Sequence, residues 1–341
     1  MDETRTPAET PTVAVCIGTY NQAQYLEGAI ESALSQTFPV DEIWVVDDCS
    51  TDDTPAVMEA IRKQHPQIFY HRHAENIGPA RNLSFALAQP KTEYVVRLDS
   101  DDRLEPGYVE ELVRLMSQYP RAGYAHCNVW EIDGAGQRAR HRQLNRSSTF
   151  ESSEQALRSN HNGLRTAANC LLFRSEALRQ ANFYLDHPTW TASEDWYLAV
   201  QMALKGWGNV YSQQTLSNYR QWDDPGGIRA SRKVMEVQTN TIIFRDVLLP
   251  AYEQRGWDTA ILRRNMKRKA RGFADALDSP RFSEEDRVNY IRILRELGDG
   301  YGLALAIFAA KMGLTPILRR YAHMRTALKD AVKRLIRAAR R

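Results

Sequence analysis

Between residues 12 and 118, short apolar runs alternate with segments of helical period, and this rhythm restricts the fold more than any other feature. Residues 12–17, 43–46, 68–71 and 94–98 read as strands: they are β-branched or aromatic and too short for core helices. Between and after them, residues 25–36 carry Leu26, Ala29, Ile30, Ala33 and Leu34 at helical spacing, and residues around 57–61, 78–88 and 107–118 repeat the pattern. Strands joined by such helices imply a mostly parallel α/β sheet with right-handed crossovers. After Pro120 the rhythm changes. Residues 124–132 and a turn at Asp133-Gly134 predict a hairpin or edge strand, residues 133–168 a mobile loop region, 171–173 a short strand, and 194–205 a helix. From about residue 234 only helices are expected, over 234–249, 259–277, 283–297 and 316–337. The expected organisation is a lead-in over 1–11, an α/β domain over 12–231 and a helical region over 232–341.

Composition narrows the class. Hydrophobic residues make up 43% and charged residues 26% of the 341 positions, as in soluble globular proteins. Cys16, Cys49, Cys127 and Cys170 lie far apart with no CxxC pair, which argues against a zinc site or disulfide framework and suits a reducing cytoplasm. Residues 1–11 are polar and read as a disordered lead-in, not a signal peptide. The net charge of +3 conceals a basic tail, since residues 311–341 hold ten Lys/Arg and one acid, Asp330. A basic tail on an acidic body suits a local anionic partner, not a nucleic acid. Leu314, Ile317, Leu318, Tyr321, Leu328, Val332, Leu335 and Ile336 fit one helix face, either on an anionic membrane, at its cytoplasmic side, or packed on the acidic domain.

The chemistry gathers at strand ends. Tyr94-Val95-Val96-Arg97-Leu98 delivers Asp99, Ser100, Asp101 and Asp102 to the loop beyond it, and open α/β sheets bind ligands there. Carboxylates so close repel one another unless a cation or solvent separates them, and hard oxygen ligands suit Mg2+ or Mn2+. The same residues also suit an acidic turn ahead of a helix. Gly18-Thr19-Tyr20-Asn21 leaves the first strand, where backbone N–H groups attract anions. Asp47-Asp48 ends the second, where an acid often meets a ribose or base. Arg81 lies on the first turn of the third helix and suits a diphosphate. Glu194-Asp195 opens a later helix between Trp190 and Trp196, a setting for a base beside sugar-stacking surfaces.

Taken in order, these pieces resemble family 2 glycosyltransferases of the GT-A fold. The likeness runs through Val15-Cys16-Ile17-Gly18-Thr19-Tyr20-Asn21, Ser35-Gln36-Thr37-Phe38, Val45-Val46-Asp47-Asp48-Cys49-Ser50-Thr51-Asp52, Asn76-Ile77-Gly78-Pro79-Ala80-Arg81-Asn82, Leu98-Asp99-Ser100-Asp101-Asp102 and Glu194-Asp195. It covers about residues 12–220. The resemblance implies inverting transfer of a sugar from a nucleotide-diphospho-sugar, with a UDP-sugar favoured, to a hydroxyl of a glycan or lipid-linked acceptor. It implies donor contacts from Thr19, Tyr20, Asn21, Asp48, Arg81, Asp99, Ser100 and Arg220. Asp101 would ligate the metal, Asp99 would reach it through water, and Asp102 would contribute weakly. Asp195 would be the base, with Glu194, Trp190 and Trp196 around the acceptor.

Two departures qualify it. Tyr219-Arg220-Gln221-Trp222 stands where many members carry Arg-x-His, which moves weight for the third ligand to Arg220, Asp223 or water. The Gln-x-x-Arg-Trp signature of processive synthases is missing, so addition of a single sugar is expected. The rival readings are a dinucleotide-binding oxidoreductase, disfavoured because Gly-x-Gly-x-x-Gly is absent, and a catalytically inactive sugar-binding module.

Overall fold

The fold is given by a computed structural model that describes residues 10–164, 170–185, 189, 192–221, 232–279, 282–317 and 320. The first four strands, β1 (Val13–Thr19), β2 (Glu42–Asp47), β3 (Phe69–Arg72) and β4 (Tyr94–Asp99), form a parallel sheet in the order β3-β2-β1-β4. Helices α1 (Ala23–Leu34), α2 (Thr54–Gln64) and α3 (Pro79–Ala88) make the crossovers, and α4 (Tyr108–Gln118) follows β4. Burial explains the strand composition: every residue of β4 up to Leu98 is buried, so both faces select apolar side chains. One face packs Val13, Val15, Ile17, Val96 and Leu98 on α1 and α4; the other packs Cys16, Val46 and Val95 on α3.

Beyond α4 the sheet becomes mixed. A two-residue strand β5 (Arg103–Leu104) precedes α4, and β6 (Ala122–Ile132) follows it. The expected turn at Asp133-Gly134 connects β6 to an antiparallel β7 (Arg138–Arg142). Residues 133–164 are more ordered than a loop reading allows: β7, β8 (Phe150–Glu151) and α5 (Ser153–Ser159) all lie there. A reciprocal capping box between Ser152 and Gln155 starts α5, a signal that the richness in Arg, Ser and Asn concealed. Next come β9 (Cys170–Arg174), α6 (Ser175–Gln180), α7 (Glu194–Leu204) and β10 (Gly208–Arg220). Among the described residues the sheet has ten strands, its main path ordered β3-β2-β1-β4-β9-β6-β10-β5.

β10 has no counterpart in the sequence reading. Its thirteen residues are largely polar, yet it lies inside the sheet, parallel to β6. Hydrogen bonds make that tolerable: Ser212 donates to Glu111 Oε1 at 2.8 Å, and Asn209 Oδ1 accepts from Arg146 at 2.5 Å.

The chain forms two compact units, Met1–Asp223 and Asp224–Arg341. Every element of the second among the described residues is a helix. Helix α8 (Lys233–Ile242) continues through a π segment (Ile243–Leu248) into α9 (Leu249–Gln254), and α10 (Ala260–Phe273) tightens into a 3-10 turn (Ala274–Asp278). Helix α11 (Glu284–Leu297) begins at a Ser283/Asp286 capping box, and α12 (Tyr301–Lys311) follows Gly300. Residues 301–311 thus form a helix that the sequence reading left unassigned. The helix expected over 316–337 lies almost wholly outside the described residues. No helix among the described residues is long and apolar enough to cross a membrane.

Candidate active site

The carboxyl ends of β1, β2 and β4 are level with one another. Thr19 pairs with Asp47, and Gly18 pairs with Asp99. At about 4.8 Å per strand spacing, the Asp47 and Asp99 positions lie roughly 10 Å apart along one sheet edge. Thr19 is buried there with its hydroxyl oxygen lacking a hydrogen-bond partner among the described residues. Tyr20 is 47% exposed beside it.

Hydrogen bonds to buried acids shape the first two loops. Asp47 Oδ1 accepts from the backbone N–H and hydroxyl of Ser50 at 2.8 and 2.5 Å, and Oδ2 accepts from Tyr70 at 2.9 Å. Asp48 Oδ1 and Oδ2 accept from the backbone N–H groups of Ile77 and Gly78 at 2.7 and 3.0 Å. The Asp48 carboxylate therefore anchors the loop that carries α3, which holds the exposed Arg81 on its first turn. Asn21 sits at φ 52°, donates through its N–H to Ser50 Oγ, and accepts from the Thr51 N–H at 2.7 Å. Cys49 (φ 63°) and Ser193 (φ 58°) are also left-handed. Strained non-glycine backbone recurs at functional loops, and three of the site's loops carry it.

The third loop follows β4. Ser100 is buried, and its hydroxyl donates to the Gln22 side chain, which ties the acidic loop to the first one. Asp102 Oδ1 accepts the Arg220 backbone N–H at 2.7 Å, while Oδ2 is buried with no hydrogen-bond partner among the described residues. Burial, then the charges of Asp101 and Asp99, pushes the Asp102 carboxyl well above the usual range. Asp99 and Asp101 keep partial exposure. An orphaned oxygen among three repelling carboxylates fits a divalent cation. Among the described residues no three acids, His or Cys are grouped so as to hold a metal ion by themselves.

The link to Glu194-Asp195 comes from Arg97, which the sequence reading passed over. Its side chain is buried within β4. Nε donates to Asp99 Oδ1 at 3.1 Å, and Nη1 donates to the Tyr184 hydroxyl at 3.1 Å and to Asp195 Oδ1. Tyr184 donates to the same Asp195 oxygen at 2.6 Å. One guanidinium thus joins the acidic loop of β4 to the first turn of α7. Asp195 Oδ1 is occupied by both donors, and Oδ2 has no hydrogen bond among the described residues. Burial raises the Asp195 carboxyl to about 6, outweighing the Arg97 charge that opposes it; Glu194 adds to the rise.

Three expectations change. Trp196 does not wall the cleft: it is 3% exposed, and its indole N–H donates to Asn160 O at 2.7 Å, because α7 turns that position into the core. Arg220 does not extend toward a donor. Its Nε donates to Asp101 O at 2.8 Å, Nη1 donates to Asp133 O and Gly134 O at 2.6 and 3.0 Å, and its guanidinium covers the Tyr25 ring at 4.3 Å. It braces the acidic loop against the β6–β7 turn. Asp48 is occupied with backbone N–H groups, as above, instead of standing open to a base. Trp190, Trp222 and Asp223 lie outside the described residues.

The family model for glycosyl transferase family 2 matches residues 14–180. The GalNAc(5)-diNAcBac-PP-undecaprenol beta-1,3-glucosyltransferase of Campylobacter jejuni is 36% identical over 117 residues, 34% of this chain and 37% of its own length. Among solved structures, S. aureus TarS 1-349 in complex with UDP-GlcNAc aligns with a TM-score of 0.60 at 18% identity, covering 84% of this chain and 80% of that one. The mannosyltransferase PcManGT from Pyrobaculum calidifontis, in complex with GDP-Man and Mn2+, aligns with a TM-score of 0.55 at 18% identity, covering 94% and 85%. The matched segments span less than half the length of the curated relatives, 16%, 43% and 30% for three of them. The structural likenesses speak for the fold, and the sequence match speaks for the family. Residues 14–180 thus match glycosyl transferase family 2, on a fold shared with glycosyltransferases of the GT-A type.

Proposed function

We propose that this chain transfers a single sugar from a nucleotide-diphospho-sugar to an acceptor hydroxyl with inversion at the anomeric carbon. The observation that carries the reading is the Asp99–Arg97–Asp195 bridge, because it puts a carboxylate base beside the loop suited to a diphosphate. The diphosphate would lie against the acidic loop, with the nucleoside toward the Thr19 and Asp48 edge and Arg81 near the phosphates. Asp101, with Asp99 through water and Asp102 weakly, would hold Mn2+ or Mg2+, which when bound offsets charge on the departing diphosphate. UDP is the favoured nucleotide, and the TarS complex with UDP-GlcNAc and the PcManGT complex with GDP-Man and Mn2+ both suit a donor of this class. A glycan or lipid-linked acceptor is in keeping with the undecaprenol-linked substrate in the Campylobacter relative's name.

Asp195 acts through Oδ2. Tyr184 and Arg97 fix the carboxylate through Oδ1, so the other oxygen faces the acceptor and takes the hydroxyl proton as the alcohol attacks. Glu194, half-buried on the same turn, positions that acceptor. A single base on the attacking side, with the diphosphate departing opposite, gives inversion. A panel of nucleotide-sugars assayed by released nucleoside diphosphate, with the product's anomeric configuration read by NMR, tests the proposal. Retention at the anomeric carbon, or NAD binding without nucleotide-sugar binding, would reject it.

The raised Asp195 carboxyl sets a pH limb. The base works only when ionised, so kcat/KM should fall about tenfold per unit below about pH 6 and level off above it. Stability runs the other way. A folded carboxyl raised above the unfolded value of ~3.9 favours the fold at low pH, and this contribution is lost as pH rises through about 6. A flat profile from pH 5 to 7 (roughly one unit either side of the limb) would count against Asp195 as the base.

A further inference from the structure

We propose that the C-terminal unit carries a docking surface for an anionic lipid bilayer, built from one face of α12 and one face of α10. Helix α12 has no charged residue between Tyr301 and Ala310. Leu303, Ile307 and Ala310 are buried within the unit. Tyr301, Leu305, Phe308 and Met312, at spacings of four, three and four, share the opposite face and are 86%, 50%, 57% and 60% exposed. A helix apolar all round is ordinarily buried all round, and this one leaves half its surface open.

Charge identifies the occupant. Arg264, Lys267, Arg268 and Arg271 lie on one exposed face of α10, which contains no acid. None of the four forms an ion pair among the described residues, although Arg263 beside them pairs with Glu253. Together with Tyr301 and the 298–300 turn, whose Asp299 is the one acid in the lining, they line a hollow of about 430 Å³ at the start of the stripe. At its other end a second hollow, about 610 Å³, holds Arg292, Arg295 and Lys311 around the 68% exposed Val288, with Glu296 paired to Arg292 at 2.6 Å. An apolar strip with basic groups at both ends matches acyl chains beneath anionic headgroups. A second copy of this chain would set like charges against each other across a two-fold contact. A nucleic acid would leave the apolar stripe without a partner. The surface lies outside residues 14–180 and needs no sugar transfer, so it stands or falls independently of the proposed reaction.

The test is sedimentation of the full chain with vesicles of phosphatidylcholine alone or with one third phosphatidylglycerol. The chain should bind only the anionic vesicles and be released by high salt, which screens the headgroup attraction. Changing Arg264, Lys267, Arg268 and Arg271 together to Gln should weaken binding by about fivefold per charge, on the order of several hundredfold in all. Leu305→Ser with Phe308→Ser should also weaken it, with all charges intact. Circular dichroism melts like those of the wild type would show both variants folded, as expected for exposed positions. Equal binding to neutral vesicles, or no binding, would overturn the proposal. If both variants bound like the wild type, the lipid contact would belong to residues 318–341 instead. A dimer seen by light scattering and dissolved by Phe308→Ser would assign the stripe to a second copy.

Discussion

Replacing Asp195 by Asn should lower turnover about 10³-fold while leaving donor affinity within about twofold, because a positioned general base contributes on the order of 10²–10⁴. The amide keeps the shape of the carboxylate but cannot accept the acceptor's proton. Donor binding should persist because the proposed reaction puts Asp195 on the acceptor side of Arg97, and the guanidinium keeps its bond to Asp99. Titration calorimetry with the donor, set beside initial rates, checks the separation. Loss of affinity in step with rate would mean that Asp195 shapes the donor site, and the base assignment would fail.

The second large effect concerns the acidic loop. Asp101→Ala should abolish metal-dependent turnover, a loss of about 10³-fold if the cation supplies several kcal/mol of charge stabilisation. Asp101 is partly exposed, so its removal should cost the fold little. Excess EDTA should bring the wild type down to the variant's level and leave the variant unchanged. Full activity of the wild type in EDTA, or unchanged activity of Asp101→Ala, would refute the role given to this loop.

Much of this was legible because local periodicity and burial agree over residues 12–118. The β4 run and the acids after it could be placed from composition alone, as could the Asp pair after β2. Assigning the two adjacent acids was harder. Asp47 and Asp48 sit where strand alternation gives way to a loop, so nothing local says that Asp47 turns to Ser50 and Tyr70 while Asp48 turns to the Ile77 and Gly78 N–H groups. Arg97 did carry a signal. A charged residue inside a buried strand, two positions before Asp99 and so on its face, demands a partner. Its second partner, Asp195, lies 98 residues away, and only tertiary structure makes that pairing visible.

β10 escaped notice for the opposite reason. Its polar side chains find hydrogen-bond partners on distant elements, so burial leaves only Val210, Tyr211 and Leu216 as an apolar trace, too few and too irregularly spaced to read as a strand. Trp196 was misplaced because an aromatic next to an acidic helix start suits a sugar platform and a core position equally. Only the face that α7 turns toward Asn160 decides between them.

The account rests on the acids of β4 and α7 serving one cleft. A crystal structure of the full chain with UDP and Mn2+ tests this most directly. The ion should bind the Asp101 carboxylate at roughly 2.2 Å, with the diphosphate against residues 99–102 and the open oxygen of Asp195 facing the space beyond the terminal phosphate. A nucleotide seated elsewhere, or an ion bound away from the loop after β4, would contradict it.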